Sequence, residues 1–112
     1  MIRVTGDNAI ELTRGDTAYL RVPIMLNNGA GDEYALDPDD TLRFSVKRTV
    51  KDTEYCFQKV LKGDNTFHIE PVDTRGLEYG TYKYDVELTT KAGDVFTVIE
   101  PTNFKICSEV TV

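Results

Sequence analysis

Tryptophan is absent from the 112 residues, histidine occurs once and cysteine twice. With His68 alone, and with Cys56 and Cys107 far apart and outside any Cys-x-x-Cys spacing, a Cys/His zinc site cannot be completed. Long apolar runs are missing too. The opening residues, MIRVTGDNAIELTRGD, lack the apolar stretch of about seven or more that a signal peptide needs. No segment approaches the roughly 18 apolar residues of a membrane span. The expectation is a protein made and kept in a cytoplasm unless another route exports it. There the two thiols stay reduced and act as small apolar side chains, with a bridge between strands as the alternative. Positive charge is in deficit: 13 Lys plus Arg stand against 19 Asp plus Glu, a net charge of −6. Nucleic acid and anionic membrane are excluded as main partners, since both require a positive face. No GxSxG, HExxH, P-loop or dinucleotide fingerprint is present, so no catalytic and no cofactor-binding residue is assigned.

What is present is ordinary for a folded domain. The apolar fraction is 40% and the charged fraction 29%, and the length suits one domain spanning residues 1–112. Folding at this size hides roughly two-thirds of the unfolded surface, enough for one core without staples. Five glycines are followed by aspartate: Gly6-Asp7, Gly15-Asp16, Gly31-Asp32, Gly63-Asp64 and Gly93-Asp94. Gly reaches positive φ without steric cost and Asp bonds its own local backbone, so these pairs mark turns.

Between the turns, apolar and polar residues alternate with period two, which buries one face of a strand and wets the other. Ile10 and Leu12 form a weak first strand. Ala18, Leu20, Val22 and Ile24 form a second, Leu42, Phe44 and Val46 a third, and Phe67 and Ile69 another. Tyr82, Tyr84, Val86 and Leu88 make the clearest. Segments 55–61, 94–100 and 104–112 add strands of poorer alternation, and Val95 to Ile99 reads as covered on both faces. Pro71 to Leu77 has room for one helical turn, with Pro near its start and Gly76 near its end. Residues 27–40 form the longest loop. Seven or eight short antiparallel strands with one helical turn near 71–77 imply an all-β immunoglobulin-like sandwich. Its core is expected to hold Leu20, Val22, Leu42, Phe44, Val46, Phe67, Ile69, Val86 and Leu88.

Candidate chemistry is sparse. Alternation turns His68 outward between Phe67 and Ile69, and no motif supplies it with a nucleophile. The acidic loop 32–40, with Asp32, Glu33, Asp37, Asp39 and Asp40, could offer oxygens to Ca²⁺. Its spacing fits no EF-hand, so it reads as a solvated loop and no metal ligand is assigned. Arg43 and Lys47 on one strand suit Asp85 and Glu87 on a neighbour, a cross-strand charge stripe. The chain ends, Arg3-Val4-Thr5 and Val110-Thr111-Val112, are weakly guarded edges, and the last strand or its flank is expected at a contact surface.

The segment Leu77-Glu78-Tyr79-Gly80-Thr81-Tyr82-Lys83-Tyr84 is the most specific local pattern. Immunoglobulin-like domains enter strand F through such a step, and the Tyr hydroxyl turns back onto upstream backbone. Gly80 permits the entry, and Tyr82 is the corner residue, with its acceptor expected between Pro71 and Tyr79. Tyr84 stands where an antibody domain carries its second cysteine, and strand B has none, so packing replaces the core disulfide.

Four runs in order, Leu12-Thr13-Arg14-Gly15-Asp16-Thr17, Asp40-Thr41-Leu42-Arg43-Phe44-Ser45-Val46-Lys47, Ile69-Glu70-Pro71-Val72-Asp73-Thr74 and Tyr79-Gly80-Thr81-Tyr82-Lys83-Tyr84-Asp85-Val86, resemble the immunoglobulin-like N-terminal domain of phage baseplate upper proteins, from phages and prophages of Gram-positive bacteria. The resemblance covers nearly the whole chain. It implies a non-enzymatic structural module of the virion tail, made in the host cytoplasm, docking on other tail or baseplate proteins or on itself. In that family the domain anchors a fibre or receptor-binding assembly, whereas this chain stops at Val112. The alternative reading is a ligand-binding module, carbohydrate-binding or cell-surface, against which the missing signal peptide and tryptophan count.

Overall fold

The structure is a computed structural model describing residues 2–25 and 33–109. Eight strands and one helical turn follow in order: β1 (Ile2–Val4), β2 (Ile10–Thr13), β3 (Ala18–Arg21), β4 (Thr41–Lys47), β5 (Phe57–Lys62), β6 (Thr66–Ile69), α1 (Pro71–Arg75), β7 (Gly80–Thr89) and β8 (Val95–Cys107). They build two sheets, a six-stranded one in the order β1-β2-β8-β7-β4-β5 and a two-stranded one of β3 and β6. This is the expected all-β sandwich. β3 and β6 stand where strands B and E of an immunoglobulin fold stand, and β4, β7 and β8 where C, F and G do, with β5 added beyond C as in the variable type.

One pairing departs from the antiparallel expectation. β2 runs parallel to β8, Ile10 opposite Phe104 and Leu12 opposite Ile106. The short β1–β2 hairpin thus completes the large sheet alongside the last strand. Ile10 and Leu12, the weakest strand pattern in the sequence, are fully buried by it.

Alternation places the core. In β4, Leu42, Phe44 and Val46 are buried while their neighbours are half-exposed, and β7 does the same with Tyr82, Tyr84, Val86 and Leu88. From the facing sheet come Ala18, Phe67 and Ile69. Phe44 is the hub: its ring lies 5.4 Å from Phe67 across the sandwich, 5.0 Å from Tyr84 and 6.1 Å from Phe104. Of the nine expected core residues only Leu20 differs. It is half-buried, packing on the rim of the core, because among the described residues β3 has no strand neighbour besides β6.

The helical turn is where Pro71 predicts it. The Glu70 amide donates to Asp73 Oδ2 at 2.7 Å, closing the N-terminus. Thr74 is buried and accepts from the Gly15 amide at 2.8 Å, and Asp73 pairs with Lys59 of β5 at 2.7 Å, so α1 is tied to the β2–β3 turn and to the large sheet. The tyrosine corner is formed: Tyr82, 2% exposed, donates its hydroxyl to the Glu78 carbonyl at 2.9 Å, and the hydroxyl oxygen accepts from Arg48 at 3.1 Å. Gly63 shows why its turn admits no side chain. Its φ is +69°, and a Cβ there would lie 2.9 Å from the Pro38 backbone.

The end of the chain corrects the sequence reading. Segments 94–100 and 104–107 belong to one strand, β8, and residues 110–112, expected to close the sheet, lie outside the described residues. Pairing with β7 slips twice, between Val86 opposite Ile99 and Glu87 opposite Thr97, and again between Tyr84 opposite Thr102 and Val86 opposite Ile99. Each slip is a bulge that inserts a residue and shifts the alternation. The expectation that Val95 to Ile99 is covered on both faces fails: Val95 is 58% exposed and Phe96 41%. The small sheet has only four residues per strand, too short to cover this end of β8.

Candidate functional site

Three surfaces collect the side chains singled out by the sequence. The first is the outer face of the large sheet, where the odd-numbered residues of β4 and β7 emerge. Arg43 stands opposite Glu87 and Ser45 opposite Asp85, so the expected charge stripe exists. Lys47 faces Lys83 rather than Asp85. These like charges splay apart: the Lys83 amine donates to Asn103 Oδ1, and the Lys47 amine lies 5.2 Å over the Tyr55 ring. The result is a hollow of about 170 Å³ floored by β4 and β7 and walled by Val50, Tyr55, Gln58 and Pro101. Burial, and then the charge of Glu87, push the Asp85 carboxyl above its ordinary range, with Lys47 opposing. The hollow therefore presents both signs of charge and one exposed aromatic ring, that of Tyr55.

The second surface is the outer face of the small sheet. His68 points outward, as its flanks predict, and stacks on Tyr19 with ring centroids 4.5 Å apart and planes 9° from parallel. Beside them Arg21 pairs with both Glu33 oxygens at 2.7 Å.

The acidic loop behaves differently from the solvated loop expected. Asp32 lies outside the described residues. Asp40 is 1% exposed, and its carboxylate accepts from the Tyr34 hydroxyl at 2.6 Å, the Asp37 amide at 2.9 Å and the Lys91 amide at 2.8 Å. Burial alone raises a carboxyl, but these hydrogen bonds outweigh it and hold Asp40 below its usual value. Asp40 ties the loop to the β7–β8 turn. Asp39 stands 3.8 Å from Lys62 and 3.9 Å from Lys91. Among the described residues no three His, Cys, Asp or Glu side chains converge on a position for a metal ion. Both cysteines are free and half-buried.

The third surface is an edge. β1, carrying Arg3 and Val4, borders the large sheet, as the weak guarding of the chain start implied, and Arg3 pairs there with Glu11. A second edge was not legible. β2 covers β8 only from Phe104 to Cys107, so among the described residues the stretch from Val95 to Pro101 has β7 on one side and no strand on the other. The Tyr84 hydroxyl bonds the Asn8 carbonyl, which places the β1–β2 turn at the level of Thr102 and leaves the edge bare beyond it. Val95 and Phe96, exposed on alternate faces, flank this run of unpaired peptide groups. An apolar edge of this kind is a template for strand addition. No helix among the described residues is long and apolar enough to cross a membrane.

Comparison of the chain with family models, with curated proteins and with solved structures finds no match.

Proposed function

We propose that this domain is a non-enzymatic docking module of a phage or prophage tail or baseplate, made in the host cytoplasm and carried in the virion. The observation that supports it is the half-paired start of β8, an apolar edge with Val95 and Phe96 exposed beside it. The four sequence runs that resemble baseplate upper proteins favour the same reading, since such domains work by holding neighbours in place. The test is binding to purified tail and baseplate proteins encoded beside the gene, measured by calorimetry. A complex with one of them, lost in Phe96→Asp, is expected; binding to none of them refutes the reading.

The hollow beside Tyr55 favours a second reading, a carbohydrate-binding module. Its polar lining and single exposed ring suit a sugar face, and its test is binding to cell-wall polysaccharide with loss in Tyr55→Ala.

A further inference from the structure

We infer that the bare edge of β8 takes a strand from a different protein, one with an apolar centre and basic ends. This rests on the docking reading above and specifies its partner. Asp94 and Glu100 bracket the edge, both exposed, and neither has an ion-pair partner among the described residues. Between them run Val95, Phe96, Thr97, Val98 and Ile99. The available length is about 20 Å, enough for a five- or six-residue strand.

Charge decides between a copy of this chain and another protein. If two copies paired antiparallel about Thr97, Asp94 of each would stand opposite Glu100 of the other, two like-charge pairs at the ends of one short ladder. Like charges directly opposite are destabilising in sheets. The net charge of −6 repels a second copy further. A strand with Lys or Arg at both ends turns the same two positions into attractions. The bulge at Val98 bends the edge within this run, and Pro101, which lacks a donor, ends it. A long unspecific strand is thereby rejected, and a short one with the right ends is accepted.

The experiment uses the full chain, labelled with ¹⁵N, and two capped peptides, Lys-Val-Thr-Val-Thr-Val-Lys and Glu-Val-Thr-Val-Thr-Val-Glu. At low salt the basic peptide should shift amides confined to residues 94–100 and bind about tenfold more tightly than the acidic one, the scale of two exposed charge pairs reversed in sign. In the double variant Asp94→Lys, Glu100→Lys the preference should invert; both positions are exposed, so the fold is retained. Equal shifts with both peptides, shifts outside this edge, or a wild-type dimer formed through β8 would each overturn the inference. If a baseplate protein binds equally to wild type and to the charge-reversed variant, the docking reading stands and the edge proposal falls. If the basic peptide binds as described and no tail protein does, the edge proposal stands and the phage reading falls.

Discussion

Replacing Asp40 with Asn changes one atom type at a buried carboxylate that accepts three hydrogen bonds. Oδ2 accepts from the Tyr34 hydroxyl and the Asp37 amide, and Oδ1 from the Lys91 amide. All three partners are donors. An amide side chain keeps one accepting oxygen and turns an NH₂ group toward a backbone amide, Lys91 in one orientation and Asp37 in the other, so at least one bond is lost either way, while the Tyr34 hydroxyl must turn round to accept in the second. A hydrogen bond to a charged group contributes about 1.5–3 kcal/mol, and the site is buried, so a net loss of about 3 kcal/mol follows. For a domain of this size that is a fall in melting temperature of roughly 12 °C or more. Asp39→Asn is the control: Asp39 is exposed and its cations stand 3.8 Å and 3.9 Å away, so its removal should cost under about 0.5 kcal/mol. The pH dependence adds a second readout. Because the folded-state carboxyl sits below its ordinary value of 3.8, the unfolded chain binds the proton first. Its stabilisation is complete above about pH 4 and is lost as pH falls through the lower, folded value. Urea unfolding from pH 7 to pH 2 should show wild type losing more stability than Asp40→Asn across that acid window. A variant that melts within a few degrees of wild type, or acid slopes that coincide, would refute the bonding assigned to Asp40.

Phe44→Ala removes the ring on which four other aromatics rest, and should cost about 3–5 kcal/mol by thermal or urea unfolding. Tyr82→Phe removes both bonds of the corner hydroxyl, its donation to the Glu78 carbonyl and its acceptance from Arg48, a loss of roughly 1–2 kcal/mol in the same assay. Burial, with the charge of Asp7 adding to it, pushes the Tyr84 hydroxyl up to about 12. Its stabilisation is therefore whole below pH 10 and disappears as pH rises through 12, and absorbance titration near 295 nm should show late-ionising tyrosine, Tyr84 with unfolding and Tyr34, raised by its hydrogen bond to Asp40, also above the ordinary value. Thiol titration of the denatured, unreduced protein should count two free thiols per chain, and burial, which raises the Cys56 thiol, should slow its reaction in the folded state.

The fold was legible where alternation was uninterrupted. β4 and β7 carry strict period-two patterns, and the corner at Tyr82 follows from Gly80 two residues before it. β8 was not, because its two bulges each insert a residue and move the pattern out of phase, so one long strand reads as two. Parallel pairing of β2 with β8 leaves no mark in either strand, since the same side chains are buried whichever way the neighbour runs. The charge stripe was half legible: residue type places Arg43 and Glu87 together, but only register decides that Lys47 meets Lys83. Asp40 was hidden among acidic neighbours. A buried aspartate and a solvated one look alike until their donors, Tyr34 and the distant Lys91 amide, are brought to it.

The parallel contact between β2 and β8 also governs the order in which the domain can assemble. β2 belongs near the start of the chain and its partner near the end, so on a ribosome the large sheet cannot close until Cys107 has emerged. Until then β8 can pair with β7 through Val95 to Asn103, but β2 has no partner on its inner side and Phe104 and Ile106 are missing from the core. Pairing between such distant residues delays closure, because the chain must lose loop entropy before the contacts reward it. The nascent domain therefore depends on its final strand, and a chain released before residue 104 would leave the β1–β2 hairpin undocked and the core short of Phe104 and Ile106.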